Sequence, residues 1–126
     1  MPPPVVLLVD DDERIRKSVG TGLTLEGFEV VPANGGRAAL EAIERVNPAV
    51  MLLDLTMPDL DGLEVLRRMR ADARMADVPV VIHTSRLLEA YETERLESLG
   101  ARVLDKSETS RSNLLELLAT VTRGAA

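Results

Sequence analysis

With 126 residues, a net charge of −6, one histidine and no cysteine, the chain has room for one domain and excludes disulfides, thiolate metal centres and imidazole clusters. The acidic balance argues against a nucleic-acid footprint, and no apolar run reaches the roughly 18 residues of a membrane span. Met1-Pro2-Pro3-Pro4 has neither the charged start nor the apolar stretch of a secretion signal, so a cytoplasmic location away from membranes is expected.

Five short apolar runs alternate with segments of helical spacing. Val5 to Val9 reads as the first strand and Glu13 to Leu25 as the first helix, with Asp12 as its N-cap and Gly20 and Gly22 as weak points inside it. Phe28 to Val31 and Arg37 to Val46 form the second strand and helix, separated by Asn34-Gly35-Gly36. Val50 to Leu53 follows, ending at Asp54, and Asp59 and Asp61 are expected to form turns before a helix over Leu63 to Met69. Val78 to Ile82 precedes a helix over Leu87 to Leu99, and Arg102 to Leu104 precedes one over Ser110 to Val121. Phe28 and Tyr91 are the only aromatics, so the core must be aliphatic, as suits parallel strands buried on both faces. Right-handed crossovers wind such units into a doubly wound α/β fold, here assigned the flavodoxin-like strand order 2-1-3-4-5 with helices on both faces.

In that order the strand ends Asp10-Asp11, Asp54, His83-Thr84 and Asp105-Lys106 open on one edge of the sheet. Strands one and three meet at the switch point, so Asp10, Asp11 and Asp54 should converge and repel unless a cation joins them. Magnesium suits an all-oxygen site, and a carboxylate beside it can attack phosphorus. Thr84 could donate a hydroxyl to the phosphoryl group, and Lys106, one of only two lysines, could supply a point charge. His83 alternates away from Thr84 and is read as packed beneath a helix. The helix from Leu87 carries more apolar residues than one buried stripe holds, so one or more of Leu87, Leu88 and Tyr91 should be exposed for a partner.

Quoted in order, Leu8-Val9-Asp10-Asp11, Asp54-Leu55-Thr56-Met57-Pro58-Asp59-Leu60-Asp61-Gly62, Ile82-His83-Thr84 and Leu104-Asp105-Lys106 resemble the receiver domain of two-component response regulators. Separations of 43, 30 and 22 residues between Asp11, Asp54, Thr84 and Lys106 fit as well, and the resemblance spans essentially the whole chain. It implies a single receiver domain over residues 1–126 without an output domain, a phosphoacceptor switch rather than an enzyme acting on other molecules. Asp54 would be phosphorylated by a histidine kinase or phosphotransfer protein. Asp10, Asp11, Asp54 and the backbone carbonyl of Thr56 would hold Mg2+, and Thr84 and Lys106 would bind the phosphoryl oxygens. Kinase docking is expected on the first helix and the loop after strand five, with Arg14, Ile15 and Ser18 exposed beside the acidic pocket. A downstream protein would bind the face of helix four, strand five and helix five.

Two departures stand out. The family usually places proline after this lysine, often in a cis bond, whereas Ser107 and Glu108 follow Lys106, so a trans bond and an altered lysine loop are expected. Val103 stands where many members carry an aromatic that swings inward. Two other readings compete: a phosphorylation-independent interaction module on the same fold, and a haloacid-dehalogenase-type phosphatase using Asp10, for which Arg14 and the missing acidic pair after Lys106 are unsuitable.

Overall fold

The computed structural model describes residues 2–124. Its five strands are β1 (Val5–Val9), β2 (Glu29–Ala33), β3 (Val50–Leu53), β4 (Val80–Thr84) and β5 (Ala101–Asp105). They alternate with α1 (Glu13–Leu25), α2 (Gly36–Val46), α3 (Gly62–Ala71), α4 (Ala90–Ser98) and α5 (Arg111–Gly124). All pairings are parallel, in the order β2-β1-β3-β4-β5. Among the described residues no helix is long and apolar enough to cross a membrane.

Alternation along the strands divides the core in two. Leu7, Val9, Met51, Leu53, Val80 and Ile82 face α2, α3 and α4 through Ala39, Ile43, Leu66, Met69 and Leu96. Val6, Leu8, Val50, Leu52 and Val81 face α1 and α5 through Leu23, Leu114 and Leu118, with Phe28 beneath them. The register sets Val9 beside Leu53 and Thr84 beside Asp105, which brings the carboxyl ends of the strands level.

Several boundaries differ from the sequence expectation, each for a local reason. β2 runs on through Pro32, because an edge strand tolerates a missing donor. β4 starts after Pro79, since Val78 instead closes a turn with the Met75 carbonyl. α4 begins at Ala90 rather than Leu87: Glu89 and Glu92 form a reciprocal capping box that sets the first turn. α1 is unbroken through both glycines, and Gly22 has a packing reason, because a Cβ there would lie 3.2 Å from Cδ of Arg111 on α5.

Arg70, at the end of α3, was not singled out by its sequence context. Its guanidinium donates to the carbonyls of Leu99, Ala76 and Val78 at 2.6, 2.9 and 2.8 Å, fixing the chain ahead of β4 and β5. Partial burial holds its pKa below the ordinary arginine value.

Candidate functional site

The chain leaves each of β1, β3 and β5 with a charged residue at the same edge. Asp10 follows β1 and is buried, Asp54 follows β3 and is 7% exposed, and Asp11 is exposed. One carboxylate oxygen from each of the three lies within 4.8 Å of the others. Lys106, half-buried after β5, reaches in with Nζ 2.7 Å from Oδ2 of Asp10 and 3.4 Å from Oδ2 of Asp54. Three carboxylates against one ammonium leave two negative charges unmatched, and the donors are all oxygen. A small hard dication such as Mg2+ fits both the charge and the ligand type.

Backbone contacts hold this cluster in place. The N–H of Asp54 donates to the Val9 carbonyl and that of Asp10 to the Ala33 carbonyl, so both acids continue the sheet's ladder. Oδ1 of Asp10 accepts from the Asp12 N–H at 2.9 Å, and Arg16 Nη1 donates to the Asp10 carbonyl at 2.7 Å. Oδ1 of Asp54 accepts from the N–H of Thr56 at 3.4 Å, which turns the loop so that Thr56 lies exposed beside the acids. Gly62 closes that loop: its N–H donates to the Leu55 carbonyl, and a Cβ there would fall 2.5 Å from the Asp54 carbonyl oxygen.

Thr84, the last residue of β4, is buried, and its Oγ1 accepts from the Arg86 N–H at 3.2 Å rather than touching Asp54. The structure therefore unites Asp10, Asp11, Asp54 and Lys106 directly, while Thr84 lines the same edge with its hydroxyl turned to the following loop. The N–H of Lys106 donates to the Thr84 carbonyl, tying the two residues through backbone. Among the described residues there is no cis peptide bond, so Lys106–Ser107 is trans, and Ser107 donates from both N–H and Oγ to Oδ1 of Asp105.

Burial pushes the Asp54 carboxyl above its ordinary value; the Lys106 charge opposes this and the Asp10 charge adds to it. Burial also works against the Lys106 ammonium, but its hydrogen bond to Asp10 and the charges of Asp10 and Asp54 outweigh that and raise it. The two directions agree with the distances, since the ammonium sits closer to Asp10 than to Asp54.

His83 is buried and pushed down to about 4, first by burial and then by the Lys106 charge. The unfolded chain, with histidine near 6.5, binds a proton that the folded protein refuses between pH 6.5 and about 4. This contribution to stability is full above pH 6.5 and declines by at most ~1.4 kcal/mol per pH unit as pH falls through that window. The raised Asp54 carboxyl acts with the opposite sign, so the informative comparison is between proteins. Urea unfolding from pH 7 to pH 5 should cost the wild type more stability than His83→Gln, and parallel curves would refute a buried neutral histidine.

Some roles differ from the sequence reading. Asp12 caps α1 by accepting from the Arg14 N–H, as expected, and Asp61 caps α3 by accepting from Glu64. Asp59, expected as a turn former, instead accepts from the N–H groups of Gly36 and Arg37, both at 3.1 Å. It caps α2 across 22 and 23 residues of chain, a partnership with no local signal. Arg14 and Ser18 are exposed, whereas Ile15 is half-buried, and Leu87 and Tyr91 stand 89% and 70% exposed.

Comparison with known proteins agrees with this geometry. The sequence model of the response regulator receiver domain matches residues 6–119. The response regulator MprA of Mycobacterium leprae is 42% identical over 81 residues, covering 64% of this chain and 35% of that protein. Regulatory protein AtoC of Escherichia coli is 38% identical over 80 residues, 64% of this chain and 17% of that protein. The chain thus spans about a third or less of these curated relatives. Among solved structures, the chemotaxis protein CheY4 of Vibrio cholerae superposes with a TM-score of 0.85 at 28% identity, covering 94% of this chain and 98% of that one.

Proposed function

The chain belongs to the response regulator receiver domain family, the phosphoacceptor switch of two-component signalling, and from that premise we propose that Asp54 is the residue phosphorylated. The observation that carries the assignment is the convergence of Asp54 with Asp10, Asp11 and Lys106 at the carboxyl edge of the sheet. A histidine kinase or phosphotransfer protein is the proposed donor.

Asp10, Asp11, Asp54 and the Thr56 backbone carbonyl would hold Mg2+. Bound there, the ion would neutralise charge on the carboxylates and on the transferring phosphoryl group. An oxygen of Asp54 forms the new bond to phosphorus as the bond from phosphorus to the donor's imidazole nitrogen breaks, and that nitrogen keeps the electron pair. Lys106 already bridges Asp10 and Asp54, so its ammonium can follow the phosphoryl oxygens without leaving Asp10. The Thr84 oxygen accepts from Arg86, which leaves its single hydroxyl proton for a phosphoryl oxygen. The domain promotes its own phosphorylation and dephosphorylation and acts on no other substrate. The exposure of Leu87 and Tyr91 supports a downstream protein binding the face of α4, β5 and α5; the cytoplasm is the proposed location.

Acetyl phosphate tests this reading. With magnesium, the wild type should become stably modified; an inert interaction module would stay unmodified, and a phosphatase would instead turn over other phosphate esters. Magnesium alone should also stabilise the fold by relieving repulsion among the acids. At tenfold over its dissociation constant that is about 1.4 kcal/mol, or roughly 4–7 °C in melting temperature. Asp11 is exposed, so Asp11→Ala should fold normally yet lose the response. A wild-type melting temperature indifferent to millimolar-range magnesium would refute the assembled site.

A further inference from the structure

Between the buried hydroxyl of Thr84 and the first turn of α4 runs an unbroken series of hydrogen bonds through two charged side chains. The Arg86 N–H donates to Oγ1 of Thr84 at 3.2 Å, and Arg86 Nη2 donates to Oε2 of Glu92 at 3.0 Å. The other oxygen of the same carboxylate, Oε1, accepts from the Glu89 N–H at 3.0 Å and completes the capping box of α4. One side chain therefore holds both the loop after β4 and the start of the helix.

The surroundings leave this junction free to move. Leu96 is the one fully buried residue of α4, so the helix is lightly anchored. Beneath it, Arg86, Tyr91, Glu92 and Leu96 share with Leu55 and Leu63 a cavity of about 110 Å3. Leu55 directly follows Asp54, and the exposed Leu87 and Tyr91 lie between Arg86 and Glu92 in sequence.

We propose that Glu92 is a positioning residue that couples Thr84 to α4: its ion pair with Arg86 holds the helix start in the unmodified arrangement, and release of the pair lets residues 87–96 shift. The coupling rests on Thr84 answering to a group on Asp54. When the hydroxyl turns toward that group, the Arg86 backbone follows it. The guanidinium then withdraws from Oε2, while Oε1 keeps the helix capped. Because the pair opposes the modified state, removing it must favour binding of a phosphoryl mimic, by reciprocity between the two ends.

Glu92→Gln separates the two duties, since the amide oxygen still accepts from Glu89 whereas the charge that pairs with Arg86 is gone. Arg86→Gln breaks the same pair from the other end and leaves the capping box untouched. Amide chemical shifts are to be recorded with magnesium, with and without beryllofluoride. In the wild type, changes should extend from Asp54 to residues 87–96. In both variants those residues should already be displaced without beryllofluoride and respond less to it, and its apparent affinity should rise about two- to fivefold, the scale of an exposed ion pair. Wild-type shifts at 87–96 and wild-type affinity in both variants, with normal responses around Asp54, would overturn the coupling alone. No wild-type change around Asp54 would overturn the phosphoacceptor reading and the coupling with it.

Discussion

Asp54→Asn should take up no phosphoryl group from acetyl phosphate under conditions that modify the wild type fully, as read by intact-mass spectrometry. The amide has no nucleophilic oxygen of comparable strength and brings no charge toward magnesium. The fold should persist in this variant, because the amide oxygen can still accept from the Thr56 N–H and Lys106 keeps its shorter bond to Asp10. Removing a buried carboxylate whose protonated form is favoured by burial should leave stability unchanged or raise it. Full labelling of Asp54→Asn, with loss in Asp10→Asn, would move the nucleophile to Asp10 and revive the haloacid-dehalogenase-type reading.

Gly62→Ala should be the most damaging of the small substitutions near the site, destabilising the protein by about 2–3 kcal/mol. The added methyl would meet the Asp54 carbonyl oxygen at 2.5 Å and the Leu55 Cα at 2.9 Å, both of them backbone atoms that cannot rotate aside. The strand end must shift, and with it the carboxylate of Asp54, so acetyl phosphate labelling should slow as well. Gly20→Ala is the matched control. Its new methyl would meet only side-chain carbons of Leu8 and Val30, at 3.7 and 3.8 Å, and helix propensity favours alanine by about 1 kcal/mol. Urea denaturation of the two variants should give opposite signs, and equal midpoints would show that the close approach at Gly62 is readily relaxed.

What the sequence made legible follows from which interactions are local. β1, β3 and α1 have the bounds expected from their apolar runs, and the strand order follows from alternation and right-handed crossover. Asp10, Asp11 and Asp54 could be brought together on paper because a parallel sheet levels the ends of neighbouring strands. Less legible was the start of α4. Leu87 and Leu88 extend an apolar pattern, but the backbone obeys the capping box of Glu89 and Glu92, a polar signal hidden inside an acidic run. Asp59 could not have been assigned to α2 from its neighbours, nor Arg70 to the Leu99 carbonyl ahead of β5, since both depend on chain segments distant in sequence. The hydroxyl of Thr84 is a similar case, because its partner is set by how the next loop turns.

Tyr91 is the only tyrosine in a protein without tryptophan, and it projects into solvent from the first turn of α4. With excitation at wavelengths beyond the absorption of Phe28, near-ultraviolet emission from this protein therefore arises at one place, next to Glu92 and above the cavity that α4 overlies. The phenol is an optical probe supplied by the molecule itself, with no tryptophan to dilute its signal. Rapid-mixing measurements can follow that helix turn in real time, in unlabelled protein and without any engineered dye.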